Sequence, residues 1–153
     1  MKAQDEHERV RAAALKLLRY RERSVAEMRQ RLRRKGFDPE VIADEIEQLV
    51  SERLLDDERF TGSWIRHKLT ISHKGKRLIR AELAAKGIRS DLFNRVWAEH
   101  AEAEIESARE WAQAKAAGYN LLDSFERRGR IRQGLFRRGY SQEAIQEALK
   151  EIG

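Results

Sequence analysis

"LRRKGF" at residues 32–37, "LAAKGI" at 83–88 and "LFRRGY" at 135–140 repeat one short pattern, 51 and 52 residues apart. Counted from the glycines Gly36, Gly87 and Gly139, apolar residues recur at fixed offsets. Eight before stand Met28, Ile79 and Ile131, and four before stand Leu32, Leu83 and Leu135. One after come Phe37, Ile88 and Tyr140, six after Ile42, Phe93 and Ile145, ten after Ile46, Trp97 and Leu149. All fifteen slots are apolar in a chain that is 41% apolar, so the repetition is not chance. Spacings of four on either side of the glycine are one helical turn.

The glycine explains the break between the two runs. A helix that stops sharply needs a left-handed residue just past its end, where glycine has no Cβ to clash. Lys35, Lys86 and Arg138 precede the glycines and face the negative end of the helix dipole. In the first copy the next helix starts with Asp38 as cap and Pro39 in its first turn, and Ser90 and Ser141 are the caps expected in the others. "SVAE" at 24–27 is a capping box, so the first copy predicts helices over 24–35 and 39–50.

A third helix precedes each pair. It covers about 6–20 in the first copy, with Val10, Ala14, Leu17 and Leu18 inward. In the second it opens at Asp56 and buries Phe60, Trp64, Ile65 and Leu69; in the third it buries Ile105, Ala108 and Trp111 and ends at Gly118, before a long helix over 121–138. The expected fold is all-α: an elongated array of three tandem three-helix repeats, about nine helices, divided 1–53, 54–101 and 102–153. Modules this small bury little surface alone, so neighbours are expected to stack and share cores in a body on the order of 60–80 Å long.

Composition excludes much else. With no cysteine there are no disulfides or thiolate metal sites, and the start "MKAQDEHERV" has no apolar leader segment. A cytoplasmic, membrane-free monomer is expected. The histidines at 7, 67, 73 and 100 form no i,i+4 pair, and no GxxxxGK[ST] or GxGxxG loop is present. The pair Asp56–Asp57 sits at a helix start, where cap and dipole roles account for it. No catalytic constellation, metal site or cofactor site emerges, so an enzyme is not expected.

The net charge of +6 is concentrated. Residues 19–35 carry eight basic and two acidic groups, residues 66–80 six and none, and residues 127–138 six and none. Each window nets +6 and lies before or across a repeated turn. One such window is an ordinary solvated face. Three in register point to a long, periodic, anionic partner. Candidate contacts are Arg29, Arg33 and Arg34 in the first copy and Arg66, Lys68, Lys74, Lys76, Arg77 and Arg80 in the second. The third copy offers Arg127, Arg128, Arg130, Arg132, Arg137 and Arg138. Arginine's planar fork suits phosphate and carboxylate alike. Trp64, Trp97 and Trp111 fall on apolar stripes and read as core.

"LLDDERF" (54–60), "WIRHKL" (64–69) and "IRAELAAKGI" (79–88) resemble the RecX family, bacterial regulators of the recombinase RecA. "SVAEMRQRLRRKGF" and "LFRRGYSQEAIQEAL" are similar to that family's first and third repeats, so the likeness covers most of the chain. One departure is the segment Gly75-Lys76-Arg77-Leu78-Ile79, where family members usually carry Gly-Pro with Arg-Ile two residues later. The resemblance implies nine helices and a place in the groove of the RecA–DNA filament. It further implies hindered filament growth and suppressed ATP hydrolysis, strand exchange and co-protease function, within DNA repair and the SOS response. Weak non-specific binding of single- or double-stranded DNA is expected beside it. The alternative from the residues alone is a helix-turn-helix DNA-binding protein, a transcription regulator or nucleoid-type binder. Against that alternative, Gln30 and Gln133 are the only amides near the turns.

Overall fold

The computed structural model describes residues 2–153, and its described residues form nine helices and no strand. They are α1 (Lys2–Tyr20), α2 (Val25–Arg34), α3 (Pro39–Ser51), α4 (Asp57–Thr70), α5 (Lys76–Ala85), α6 (Ser90–Trp97), α7 (Ala101–Gly118), α8 (Ser124–Arg137) and α9 (Gln142–Leu149). Each helix packs on the other two of its own trio, and α4 on α7 is the main helix pair between trios. Three apolar cores result, one in each repeat.

The glycine-anchored pattern accounts for those cores. Fourteen of its fifteen apolar slots are buried, and only Phe37 is half-buried, with the Arg9 guanidinium 5.6 Å from its ring centre. Full burial of one such side chain contributes about 1.5–3 kcal/mol. Gly36, Gly87 and Gly139 have φ of 86°, 83° and 87°, the left-handed values that the sharp stop requires.

The caps follow a register. Asp38, Arg89 and Ser141 each stand two residues past the glycine and occupy the N-cap of α3, α6 and α9. Ser141 accepts from the Ala144 N–H and Asp38 from the Glu40 N–H. Ser90, expected as a cap, is instead the first helical residue, and Arg89 caps α6 without a side-chain bond. The third-repeat middle helix also starts later than expected, at Ser124, because Asp123 accepts from the Glu126 N–H and fixes the N-terminus there.

The repeats stack, α4 on α7, but their cores stay separate, contrary to the expectation of shared cores, and polar contacts link them. The N-terminus of the second helix of one repeat sits on the glycine turn of the next. At the first joint, the Ser24 hydroxyl donates to the Lys86 carbonyl at 2.7 Å, and the Val25 N–H donates to Asp57 Oδ1 at 2.8 Å. The backbones come so close that a Cβ on Gly87 would lie 2.4 Å from the Ala26 methyl. At the second joint, the Gly75 and Arg77 N–H groups donate to the carbonyls of Arg138 and Gly139, both at 2.9 Å. Between them, the Lys76 N–H donates to Glu104 Oε2 at 2.9 Å. Helix α5 has no side-chain N-cap of its own and is capped by the neighbouring repeat. Gly75 is required here by space, since its Cβ would fall 2.2 Å from the Tyr140 Cα.

The shared logic is an acid near the start of one repeat's first helix, bonded to the first N–H of the preceding repeat's second helix. Asp57 plays that part at one joint and Glu104 at the other. Asp57 is therefore a joint residue as well as an acid in the first turn of its own helix. Asp56 does cap α4, accepting from the Arg59 N–H at 3.1 Å.

Candidate interaction surface

The fifteen candidate cations divide into those held inside the protein and those left to solvent. Inside are Arg127, Arg128 and Arg138. Arg127 donates to the carbonyls of Tyr119, Leu122 and Gly153, and Arg128 to those of Leu149 and Ile152. Arg138 donates to the carbonyls of Ser72 and His73, both at 2.7 Å, across the second joint. These guanidiniums bind carbonyls of helix ends and adjoining loops, so their charge is engaged internally. His73 offers its carbonyl from a left-handed backbone, φ 49°.

The second repeat's cations are mostly engaged too. Lys74 pairs with Glu82 at 2.8 Å, and Lys68 reaches the same carboxylate at 4.0 Å while lying over the Trp64 ring. Burial pushes the Glu82 carboxyl up, but hydrogen bonds from Lys74 and the Trp64 indole hold it below its ordinary value. Arg77 lies 4.4 Å over the Phe136 ring and donates to the Phe136 carbonyl. Arg80 donates to Asn94 Oδ1, and Arg66 to Ser63 Oγ. Lys76 is half-buried, with its ammonium 5.8 Å from the Trp97 ring centre. All three N–H groups of Gly75, Lys76 and Arg77 serve the second joint, which leaves none to cradle a phosphate. A proline at 76 would lack the donor to Glu104.

The uncommitted charge sits elsewhere. Arg29, Arg33 and Arg34 are exposed on α2 and make no ion pair among the described residues. Arg31 and Lys35, which the sequence reading did not single out, are exposed on the same short stretch. Arg29 and Arg33 are one turn apart, about 6 Å along the axis. Met28 and Leu32, fully buried on the opposite stripe, fix which way these arginines face. In the third repeat Arg130, Arg132 and Arg137 are exposed without ion pairs, Arg130 lying 5.8 Å from the Tyr119 ring centre. The free basic groups thus cluster at both ends of the array, on α2 and α8.

The tryptophans are structural. Trp97 is buried and stacks on Phe93, while Trp64 and Trp111 are half-buried against the second and third cores. A Cβ on Gly134 would meet the Trp111 ring at 2.3 Å, so that glycine makes room for the indole. Tyr140 is buried at the second joint, where its hydroxyl meets Ser107 Oγ at 2.8 Å. Burial raises its pKa to about 12, against the opposing pull of the Ser107 bond. No cluster of metal-ligating side chains exists among the described residues, and no helix is long and apolar enough to cross a membrane.

Fold and surface together define a three-repeat helical array with basic faces on its second helices. Three family models match it in chain order, described as the first, second and third three-helix domains of RecX, over residues 11–49, 56–96 and 102–149. Curated relatives named "Regulatory protein RecX" agree. The one from Mycobacterium sp. (strain KMS) is 34% identical over 140 residues, covering 88% of this chain and 76% of the relative. The one from Prosthecochloris aestuarii is 33% identical over 141 residues, covering 91% and 90%. A longer relative from Geobacillus thermodenitrificans is 34% identical, and this chain spans 52% of it. The crystal structure of RecX from Lactobacillus salivarius superposes with a TM-score of 0.89 over 97% of each chain at 24% identity, a likeness of fold. The chain belongs to the RecX family of regulatory proteins.

Proposed function

We propose that this protein regulates a RecA recombinase by binding the filament that RecA forms on DNA, in the cytoplasm and as a monomer. Bound there, it limits filament growth and suppresses ATP hydrolysis, strand exchange and co-protease activity, with no catalysis of its own. The observation that carries the reading is the placement of uncommitted arginines at both ends of a serially joined array. A ligand that engages Arg29 and Arg33 on α2 and Arg130 and Arg132 on α8 must span three repeats. A filament does so; a small molecule does not.

The helix-turn-helix alternative is disfavoured by charge. The helix after each glycine turn would be the one to enter a groove. Yet α3 carries Glu40, Asp44, Glu45 and Glu47 with no basic residue, and α9 carries Glu143 and Glu147 with none. Such helices are repelled by phosphate. Free DNA is then bound weakly, through the α2 and α8 arginines, without sequence preference.

The deciding experiment is DNA-dependent ATP hydrolysis by the cognate recombinase, titrated with this protein. Inhibition below one molecule per recombinase protomer is expected. An unaffected rate at equimolar, folded protein removes the proposal.

A further inference from the structure

The two joints specify what the surface of a second helix is for in this array. At the first, the face of α2 around Ala26 receives the Gly87 turn; at the second, the face of α5 around Leu78 receives the Gly139 turn. Helix α8 is the third such helix, and among the described residues no turn is seated on it. Counted back from its glycine, the positions matching Ala26 and Leu78 are Gly129 and Arg130; counted forward from the helix start, they are Phe125 and Glu126. The two pairs lie one turn apart, and all four residues line one groove on α8. That face is uncovered. A Cβ on Gly129 would meet nothing within 4 Å, Phe125 is 88% exposed and Phe136 57%. Together with Ile145 of α9 they line an open groove of about 710 Å3, whose charged lining is Arg130, Arg132 and the single acid Glu126, a net positive rim.

We propose that this groove binds an acidic, apolar-faced helix or helix turn of a partner protein, seated on α8 as the Gly87 and Gly139 turns seat on α2 and α5. Large exposed rings around a small-residue floor are the usual anchors of helix-in-groove recognition. Charge selects the occupant. The one open glycine turn of this chain, at Gly36, carries Arg33, Arg34 and Lys35, so a second copy would bring like charge to Arg130 and Arg132. An acidic segment meets those guanidiniums as a complement. A single nucleic-acid strand fits less well, because one face of the Phe136 ring is already covered by Arg77. On the proposed function, on which this inference rests, the segment belongs to the recombinase.

Gly129→Leu tests this in the intact three-repeat chain, since it fills the groove without touching the core. Phe125→Ser, at an equally solvent-exposed position, is the companion variant should the first misfold. The assay is binding to, and ATPase inhibition of, recombinase filaments on single-stranded DNA, beside retention on bare single-stranded DNA and sedimentation of the protein alone. The expected result is unchanged helicity and bare-DNA retention, with the filament midpoint raised about tenfold or more. Wild-type inhibition matched by both variants overturns the groove and leaves the proposed function standing. Wild-type protein that neither binds nor inhibits overturns both. An equal loss on bare DNA assigns the groove to nucleic acid, and self-association of wild type abolished by Gly129→Leu assigns it to a second copy. Either of these also overturns the proposal.

Discussion

The Ser24 hydroxyl donates to the Lys86 carbonyl at 2.7 Å while accepting the Glu27 N–H at 3.1 Å. One side chain therefore serves two helix ends: the N-terminus of its own α2 and the C-terminus of α5 in the next repeat, where Lys86 is the C-cap. Both ends carry backbone groups that no intrahelical bond can satisfy. Because the joint is made of such groups rather than of apolar surface, its strength depends on a few directional bonds.

Replacing Ser24 by Ala should remove both bonds at a fully buried site. The expected loss is about 1–3 kcal/mol, more than an ordinary exposed cap. Urea unfolding monitored by circular dichroism measures it. A loss no larger than that of Asp38→Ala, an exposed cap with no bond to another repeat, would show that the Lys86 carbonyl contributes nothing.

Acid should weaken the first joint through Glu27. Burial pushes its carboxyl up, but hydrogen bonds from Arg21, Lys86 and the Ser24 N–H outweigh it and hold the pKa at about 2, against 4.5 when free. The unfolded chain takes up this proton more readily than the folded one, so the stabilisation is complete above about 4.5 and fades as pH falls toward 2. Asp57 works the other way, since burial raises its pKa in the fold and acid relieves its charge. Glu27→Gln should lower stability at neutral pH and flatten the profile below pH 4.5. A variant whose acid unfolding parallels that of wild type would place the acid sensitivity elsewhere.

Valine at any of the three turn glycines must adopt a left-handed backbone, at roughly 1–3 kcal/mol. Gly36→Val should cost little beyond that strain, because nothing lies within 4 Å of its Cβ position. Gly87→Val and Gly139→Val also drive a side chain into the preceding repeat, 2.4 Å from Ala26 and 2.6 Å from Leu78. Thermal melts should therefore rank Gly36→Val as the mildest. Equal melting temperatures for all three variants would mean that the joints yield freely.

The glycine turns, the apolar slots and most caps were legible because each is a local rule with a local cause. Ser90 was misread for want of the register: the caps lie two residues past the glycine, and Ser90 lies three past. The joints were not legible. Nothing near Ser24 names Lys86 as its partner 62 residues on, and nothing near Lys76 names Glu104. The same distance hid the difference between cations. Arg127 and Arg33 look alike in sequence, yet one is bonded to three carbonyls and the other is exposed without an ion pair.

That difference yields opposite phenotypes. Arg128→Ala should destabilise the third repeat by about 1–3 kcal/mol, because the Ile152 carbonyl loses its donor and the Leu149 carbonyl keeps only the Ile152 N–H. Arg33→Ala should leave stability within about 0.5 kcal/mol. Melting curves of the two variants decide it, and a stability loss at Arg33 would contradict its placement in solvent.

Reversing Arg29, Arg33 and Arg34 together to Glu should then act chiefly on binding. Helicity should persist, since none of the three makes an ion pair among the described residues. Any small loss in melting belongs to Arg29, whose charge favours the Asp57 carboxylate at the first joint. Each single-strand phosphate neutralised adds about −0.7 to the slope of log affinity against log salt. Losing about three phosphate contacts should therefore make that slope shallower by about 2 units on bare single-stranded DNA. Reversal of Arg130, Arg132 and Arg137 tests the other end of the array in the same way. It avoids Arg127 and Arg128, whose loss would disturb the C-terminal fold. Filament binding adds apolar contacts that salt does not screen, so it should survive moderate salt better than bare-DNA binding does. At least one of the two triple variants should lose inhibition of recombinase ATP hydrolysis. Full inhibition by both at moderate salt would make the exposed arginines ordinary solvated groups and move the docking surface off α2 and α8.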